Sequence, residues 1–158
     1  MKVTKKTDND TEIINGLNSV DIANLYQYVC EYDSSIKGAP GSYDIEDKAI
    51  INLLDANDIF FDTCAIKNQA KAYKHKYFIL FEQTKNSKAS KDDKAHHLLR
   101  HLRNAIAHGH IFKRKGKRNV EIYEMTDNNG KRDTMWGKIS VSILYHLIQS
   151  LINSRKRF

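Results

Sequence analysis

The run Tyr77-Phe78-Ile79-Leu80-Phe81 has two readings, and the fold class turns on which is taken. Short, apolar and aromatic, it suits a strand. As the last turns of a helix, it continues a stripe that Ile66, Ala70 and Tyr73 begin at helical spacing, with Lys67, Lys71 and Lys74 on another side. The surroundings favour the helix. Pro40 is the only proline, and neither glycine nor proline occurs between Gly41 and Gly109. A stretch of that length without a breaker is hard to build from strands and turns and easy to build from long helices. Residues from Ile59 to about Thr84 therefore read as one helix. Two more precede it, over residues 20–32 with Ser19 as N-cap and from Asp44 to a weak point at 55–58, separated by the loop SSIKGAPGS at 34–42.

Beyond a polar linker at residues 85–91, the segment 92–108 has the cleanest periodicity in the chain. Ala95, Leu98, Leu99, Leu102, Ala105 and Ile106 recur at i, i+3, i+4 and i+7, Asp92 and Asp93 suit the positive end of a helix, and Gly109 follows as a C′ residue. The texture then changes to KRKGKR (113–118), alternating residues at 119–126, the turn Asp127-Asn128-Asn129-Gly130, and residues 131–136. This predicts a basic loop followed by a small β-hairpin or structured loop. A last helix over 140–154 would bury Ile143, Leu144, Leu147, Ile148 and Leu151, with Arg155, Lys156 and Arg157 at its negative end. The expected fold is mainly all-α: a bundle of four to five helices in one domain over 1–158, with residues 1–12 a flexible tail.

The chain has 158 residues, the size of a single domain. With 41% hydrophobic and 28% charged residues, it has the composition of a soluble globular protein. Its apolar runs are too short to span a bilayer, and the basic residues of the amino terminus are followed by no apolar stretch, which argues against a signal peptide. Cys30 and Cys64 have neither metal-ligand spacing nor a CxxC pairing, so both are expected as free thiols in a reducing cytoplasm, with no membrane association. The net charge of +7 is divided. Residues 1–60 carry 5 Lys/Arg against 11 Asp/Glu, whereas residues 61–158 carry 21 against 8. The second part would concentrate a polyanion, or serve as a solubilising surface.

Five of the seven histidines lie between His96 and His110, interleaved with Arg100 and Arg103. On a wheel of about 100° per residue, His97, His101, Asn104 and His108 fall together on one border of the apolar stripe, and Arg103 falls beyond the other. Three readings are open for them. They are the solvated rim of a core helix; or His97 and His101, at i and i+4, ligate zinc, although no HExxH glutamate or acidic cluster completes the set; or they perform acid–base chemistry on a phosphate. In the third, His108 lies where the negative end of the helix dipole favours an imidazolium donor, and Arg103 supplies a fork of N–H groups for phosphate oxygens.

The string Leu102-Arg103-Asn104-Ala105-Ile106-Ala107-His108-Gly109 resembles the R-x4-6-H motif of the HEPN (higher eukaryotes and prokaryotes nucleotide-binding) superfamily, in its Arg-Asn-x-x-x-His version. The resemblance takes in most of the chain, about residues 15–155, through a late helix ending in the motif and a final packing helix. It implies an all-helical homodimer with two motif helices facing each other across a cleft. It also implies a metal-independent endoribonuclease without cofactor, in toxin–antitoxin or phage-defence systems, with an antitoxin or other regulatory protein as a further partner. Carried onto this sequence, Arg103 and His108 form the catalytic pair and Asn104 orients His108. Members controlled by nucleotidyltransferase antitoxins have R-x4-H-x-Tyr; His110 stands in the tyrosine's place here, which puts that route of regulation in doubt.

The expected reaction is attack of a ribose 2′-OH on the adjacent phosphate of single-stranded or loop RNA, with His108 moving protons and Arg103 stabilising the phosphorane. Lys113, Arg114, Lys115, Lys117 and Arg118 are the expected RNA-binding residues, or else a solvated loop. Tyr123, Tyr145 and Trp136 are potential stacking residues without an assigned role. The alternative is a catalytically silent module of the same fold that binds RNA, nucleotide or a partner protein.

Overall fold

The computed structural model describes residues 12–63, 69–83 and 93–156. Of the sequence expectations, the tail up to residue 11, Cys64, Ile66, Lys67, the linker at 85–91, Asp92 and Arg157 lie outside the described residues. A short hairpin of β1 (Glu12–Ile14) and β2 (Leu17–Asn18) leads into α1 (Ser19–Glu31), which a π-helical turn (Tyr32–Ile36) prolongs. Then come α2 (Lys48–Ala56), β3 (Ile59–Thr63), the single turn α3 (Gln69–Ala72) and β4 (Tyr77–Phe81). The second half runs α4 (Asp93–Ala107), β5 (Ile111–Lys115), β6 (Glu121–Asn128), β7 (Asp133–Ser140) and α5 (Val141–Asn153).

The mainly all-α bundle is overturned. A mixed five-stranded sheet in the order β3-β4-β7-β6-β5 forms the centre, with β3 and β4 parallel and the other neighbours antiparallel. Where a helix is expected from Ile59 to Thr84, the described residues form two strands and one helical turn. Tyr77-Phe81 is the strand, and all five of its residues are buried. Tyr77, Ile79 and Phe81 join the main core, while Phe78 and Leu80 join a second cluster with Ala72 and Trp136. A strand covered on both faces has no polar alternation to show, so it reads as a continuous apolar run. The missing glycines mislead for a separate reason: Asp58 takes a φ of 51° at the turn between α2 and β3, a position where Asn and Asp substitute for glycine. Parallel β3 and β4 require a crossover, which passes through α3.

The flanking helices follow their local chemistry. Asn18, rather than Ser19, caps α1: its side chain accepts the Asp21 N–H, and Asp21 accepts the Asn18 N–H, both at 2.9 Å. Asp47 caps α2, which starts at Lys48 rather than Asp44. The last helix lies where the sequence predicts it, with Ser140 as its N-cap, the hydroxyl accepting the Ile143 N–H. The end of α4 is also as predicted. Gly109 has a φ of 73°, its N–H donates to Ile106 O and the His110 N–H donates to Ala105 O, the two bonds of a Schellman ending.

One face of the sheet carries Tyr123, Met125, Met135 and Ile139 into the main core with residues of α1, α4 and α5, including Leu25, Leu98, Leu102, Leu144 and Leu147. The β6–β7 hairpin turns through Asn128 and Asn129, whose side chains accept N–H groups from Gly130, Lys131 and Arg132. The stretch read as a basic loop is only partly one, because Lys113, Arg114 and Lys115 lie in β5, paired with β6. At this sheet edge Asn15 O accepts the Lys113 N–H, and the Asn15 amide donates to Gly109 O and Ile111 O. Gly16 there has a φ of 77°, and a Cβ on it would stand 2.1 Å from Lys113 O, so only glycine fits. Among the described residues, no helix is long and apolar enough to cross a membrane.

Candidate functional site

Amphipathicity sets the position of α4: Ala95, Leu98, Leu99, Leu102, Ala105 and Ile106 are all buried. The histidine-bearing border of this stripe is not a solvated rim, since His97 and His101 are buried as well. It lies against β6, where His101 Nδ1 donates to Asp127 Oδ2 at 2.8 Å, while Nε2 donates to Glu82 O, also at 2.8 Å. Both ring nitrogens are thus engaged with oxygens. This leaves His101 no nitrogen for a metal. His96 donates to Ile36 O at 3.0 Å, and His97 Nδ1 accepts from Arg100 at 3.4 Å. Among the described residues, no group of three or more His, Cys, Asp or Glu is placed to hold a metal ion.

Asp127 links this buried pair to the motif. Its Oδ2 also accepts from Asn104 Nδ2 at 3.2 Å. Burial pushes the Asp127 carboxyl up, but hydrogen bonds from His101 and Asn104, with the nearby charges of His101 and Arg100, outweigh it and hold the group below the usual carboxylate range. Asn104 Oδ1 in turn accepts from Arg103 Nη1 at 3.3 Å. Arg103 Nε and Nη2 donate to Asp33 Oδ1 and Oδ2, both at 3.2 Å. Asp33 sits in the π-helical turn after α1, a kind of local expansion frequent at functional sites. A polar chain thus crosses α4 from β6 to α1 through His101, Asp127, Asn104, Arg103 and Asp33. It uses three of the five guanidinium N–H groups and leaves two for another acceptor.

His108 caps the end of α4. It is the one exposed histidine among the five at 96–110. Its N–H donates to Asn104 O at 3.0 Å, and its ring centroid is 6.1 Å from that of His110, whose buried Nδ1 has no hydrogen-bond partner among the described residues. The Asn104 side chain holds Arg103 and Asp127, and Asn104 meets His108 through the backbone. Arg103 and His108 share no hydrogen bond within the chain; Arg103 turns toward α1 and His108 leaves at the helix end.

The five basic residues divide. Lys113 is mostly buried, with Nζ at 2.5 Å from Asp21 Oδ2 and 3.0 Å from Glu121 Oε2. Burial pushes its ammonium down, and the hydrogen bonds to Asp21 and Glu121 outweigh this and raise it. Asp21 also accepts from the Tyr123 hydroxyl at 2.5 Å, and that hydroxyl lies 2.8 Å from the Tyr145 hydroxyl. Tyr123 is therefore a core residue with its phenol driven far upward, first by burial, and it offers no stacking face. Arg114 is exposed and paired with Glu124 at 3.0 Å, and Lys115, Lys117 and Arg118 are exposed around the β5–β6 turn.

Sequence reasoning missed Asp33, Asp127 and the Glu82 carbonyl. Asp127 was legible only as a turn residue, and Asp33 falls between the helix expected over 20–32 and the loop at 34–42. Their partners lie 23 and 70 positions away, which no local pattern encodes.

A family model described as HEPN pEK499 p136 matches residues 3–156. The likeness read from Leu102 to Gly109 thereby extends over nearly the whole chain. No curated protein and no solved structure gives a match.

Proposed function

The chain belongs to the HEPN pEK499 p136 family, and from that premise we propose that it is a metal-independent endoribonuclease acting as a homodimer, a toxin or phage-defence effector under the control of a protein partner. The observation that carries this reading is the division of labour along α4. Arg103 is held by Asp33 and Asn104 with two N–H donors spare, and His108 is exposed at the helix end. In a pair of chains with α4 facing α4, His108 of one chain meets Arg103 of the partner subunit across the cleft. His108 moves the protons as the ribose 2′-OH attacks the adjacent phosphorus, and Arg103 stabilises the charge on the phosphorane oxygens. Asn104 serves both, holding Arg103 with its side chain and the His108 N–H with its carbonyl. The products are a 2′,3′-cyclic phosphate and a 5′-OH.

The test is incubation of purified protein with total RNA in excess chelator, followed by analysis of the fragment ends. Cyclic phosphate and 5′-OH ends are expected. Intact RNA, or cleavage that returns only on adding a metal ion, overturns the reading and favours a silent binding module.

Lys115, Lys117 and Arg118 are the basic residues of the β5–β6 turn that are free to reach flanking phosphates in this reading. Replacing all three by alanine is expected to weaken RNA binding alike across sequences. If each holds one phosphate, the plot of log affinity against log salt flattens by about 2 for single strands. An unchanged slope in filter-binding titrations removes them from the interface.

A further inference from the structure

The face of the sheet turned away from α4 carries a groove that the cleavage site does not use. Strand alternation sends Lys113 and Tyr123 to the helical side, so Arg114 and Glu124 project from the other, where Glu124 pairs in register with Lys138. These residues line a pocket of about 220 Å³ with Tyr73, His75 and Trp136. Its rings are set by their neighbours. Tyr73 stands edge-on to Trp136 at 4.8 Å, and Trp136 edge-on to Phe78 at 4.4 Å, while His75 stacks on Phe60 at 4.6 Å.

Tyr73 is 71% exposed despite being held in this way. An exposed ring already fixed in orientation loses little entropy when a second flat ring is laid against it. Beside it Arg114 and Lys138 oppose the single carboxylate of Glu124. Planar apolar surface next to surplus positive charge is the chemistry that receives a nucleobase and its phosphate. The size narrows the occupant further. Sites for whole small molecules run to about 300–1,000 Å³, and this pocket is smaller, so it suits one base of a longer strand better than a complete cofactor.

We propose that this groove is a second RNA subsite, in which a base of a single-stranded segment stacks on Tyr73 beside Trp136 while Arg114 and Lys138 hold its phosphate. Glu124 supplies an acceptor for N–H groups on the base edge. The choice of RNA rests on the reading of the chain as a ribonuclease. The groove itself lies on the opposite face of the sheet from α4 and would fix where a long RNA sits relative to His108.

Trp136 is the only tryptophan, so its fluorescence reports on this groove alone. The experiment uses full-length protein with His108→Ala, which keeps the probe uncut, titrated with hexauridylate. Quenching of Trp136 fluorescence is expected, with the same midpoint as the anisotropy of labelled hexauridylate. Tyr73→Ala should weaken that binding about 5- to 150-fold, the range for losing one stacked base. Tyr73→Phe should restore it, and Arg114→Ala should weaken it in a salt-dependent way. Binding without any change at Trp136, or equal affinity in Tyr73→Ala, overturns the proposal. The two readings fail separately: RNA cleavage without a response at Trp136 removes the groove alone, and a response at Trp136 in a chain that cleaves nothing removes the nuclease alone.

Discussion

His108→Ala is expected to lower RNA cleavage by about 10²–10⁴ and to leave the fold as it is. The ring is exposed and the residue's structural contribution is its backbone, which caps α4 through the N–H bond to Asn104 O. Surface substitutions of this kind usually change stability by no more than about 0.5 kcal/mol. The thermal midpoint should therefore stay in place while cleavage collapses, and cleavage at the wild-type rate would remove His108 from the chemistry. A mixing experiment then tests the shared cleft. Arg103→Ala and His108→Ala dimers are each inactive, but a mixed dimer has one doubly damaged site and one intact site. Remixed subunits should recover roughly a quarter of wild-type activity if the pair comes from two chains. No recovery, or a monomeric mass under assay conditions, contradicts it.

The largest stability effect is expected at Asp127. Asp127→Ala leaves His101 Nδ1 and Asn104 Nδ2 facing a void that Asp127 Oδ2 now fills, with His101 and Asp127 both buried. Removing one member of a buried pair costs about 3–5 kcal/mol. The urea midpoint should fall accordingly with the slope unchanged; a loss under 1 kcal/mol would show that the pair contributes little. The pH dependence has a definite sign. The Asp127 carboxyl titrates below the usual range in the folded chain, so its stabilisation is complete above the unfolded value of about 4 and is lost as pH falls through the folded one. Wild-type protein should therefore lose stability in acid more steeply than Asp127→Asn. Because Asn104 connects Asp127 to Arg103, the same variant should also slow cleavage.

Helices with one apolar face were legible in the sequence. The stripes of α4 and α5, the Gly109 ending and the Asn128-Asn129-Gly130 turn all declare themselves within a few residues. The sheet was not legible, because its central strand is covered on both sides and its turns use Asp58 in place of glycine. The candidate site divides in the same way. Arg103 and His108 are visible as a motif on one helix, but Asp33, which holds Arg103, comes from the turn after α1, and Asp127, which holds Asn104, comes from β6. Lys113 shows the cost of reading charge without position: it belongs to a run of cations, yet it is tied internally to Asp21 and Glu121.

The Asn15-Gly16 turn has a bearing on self-assembly. A bare outer strand is a template on which a second copy can crystallise its own strand, extending one sheet into the next without limit. Here the outward groups of Lys113 and Ile111 are already satisfied from within the chain. The Asn15-Gly16 turn already occupies the strand's outer hydrogen-bonding positions at Ile111 and Lys113, so a second strand cannot pair with those groups without displacing it.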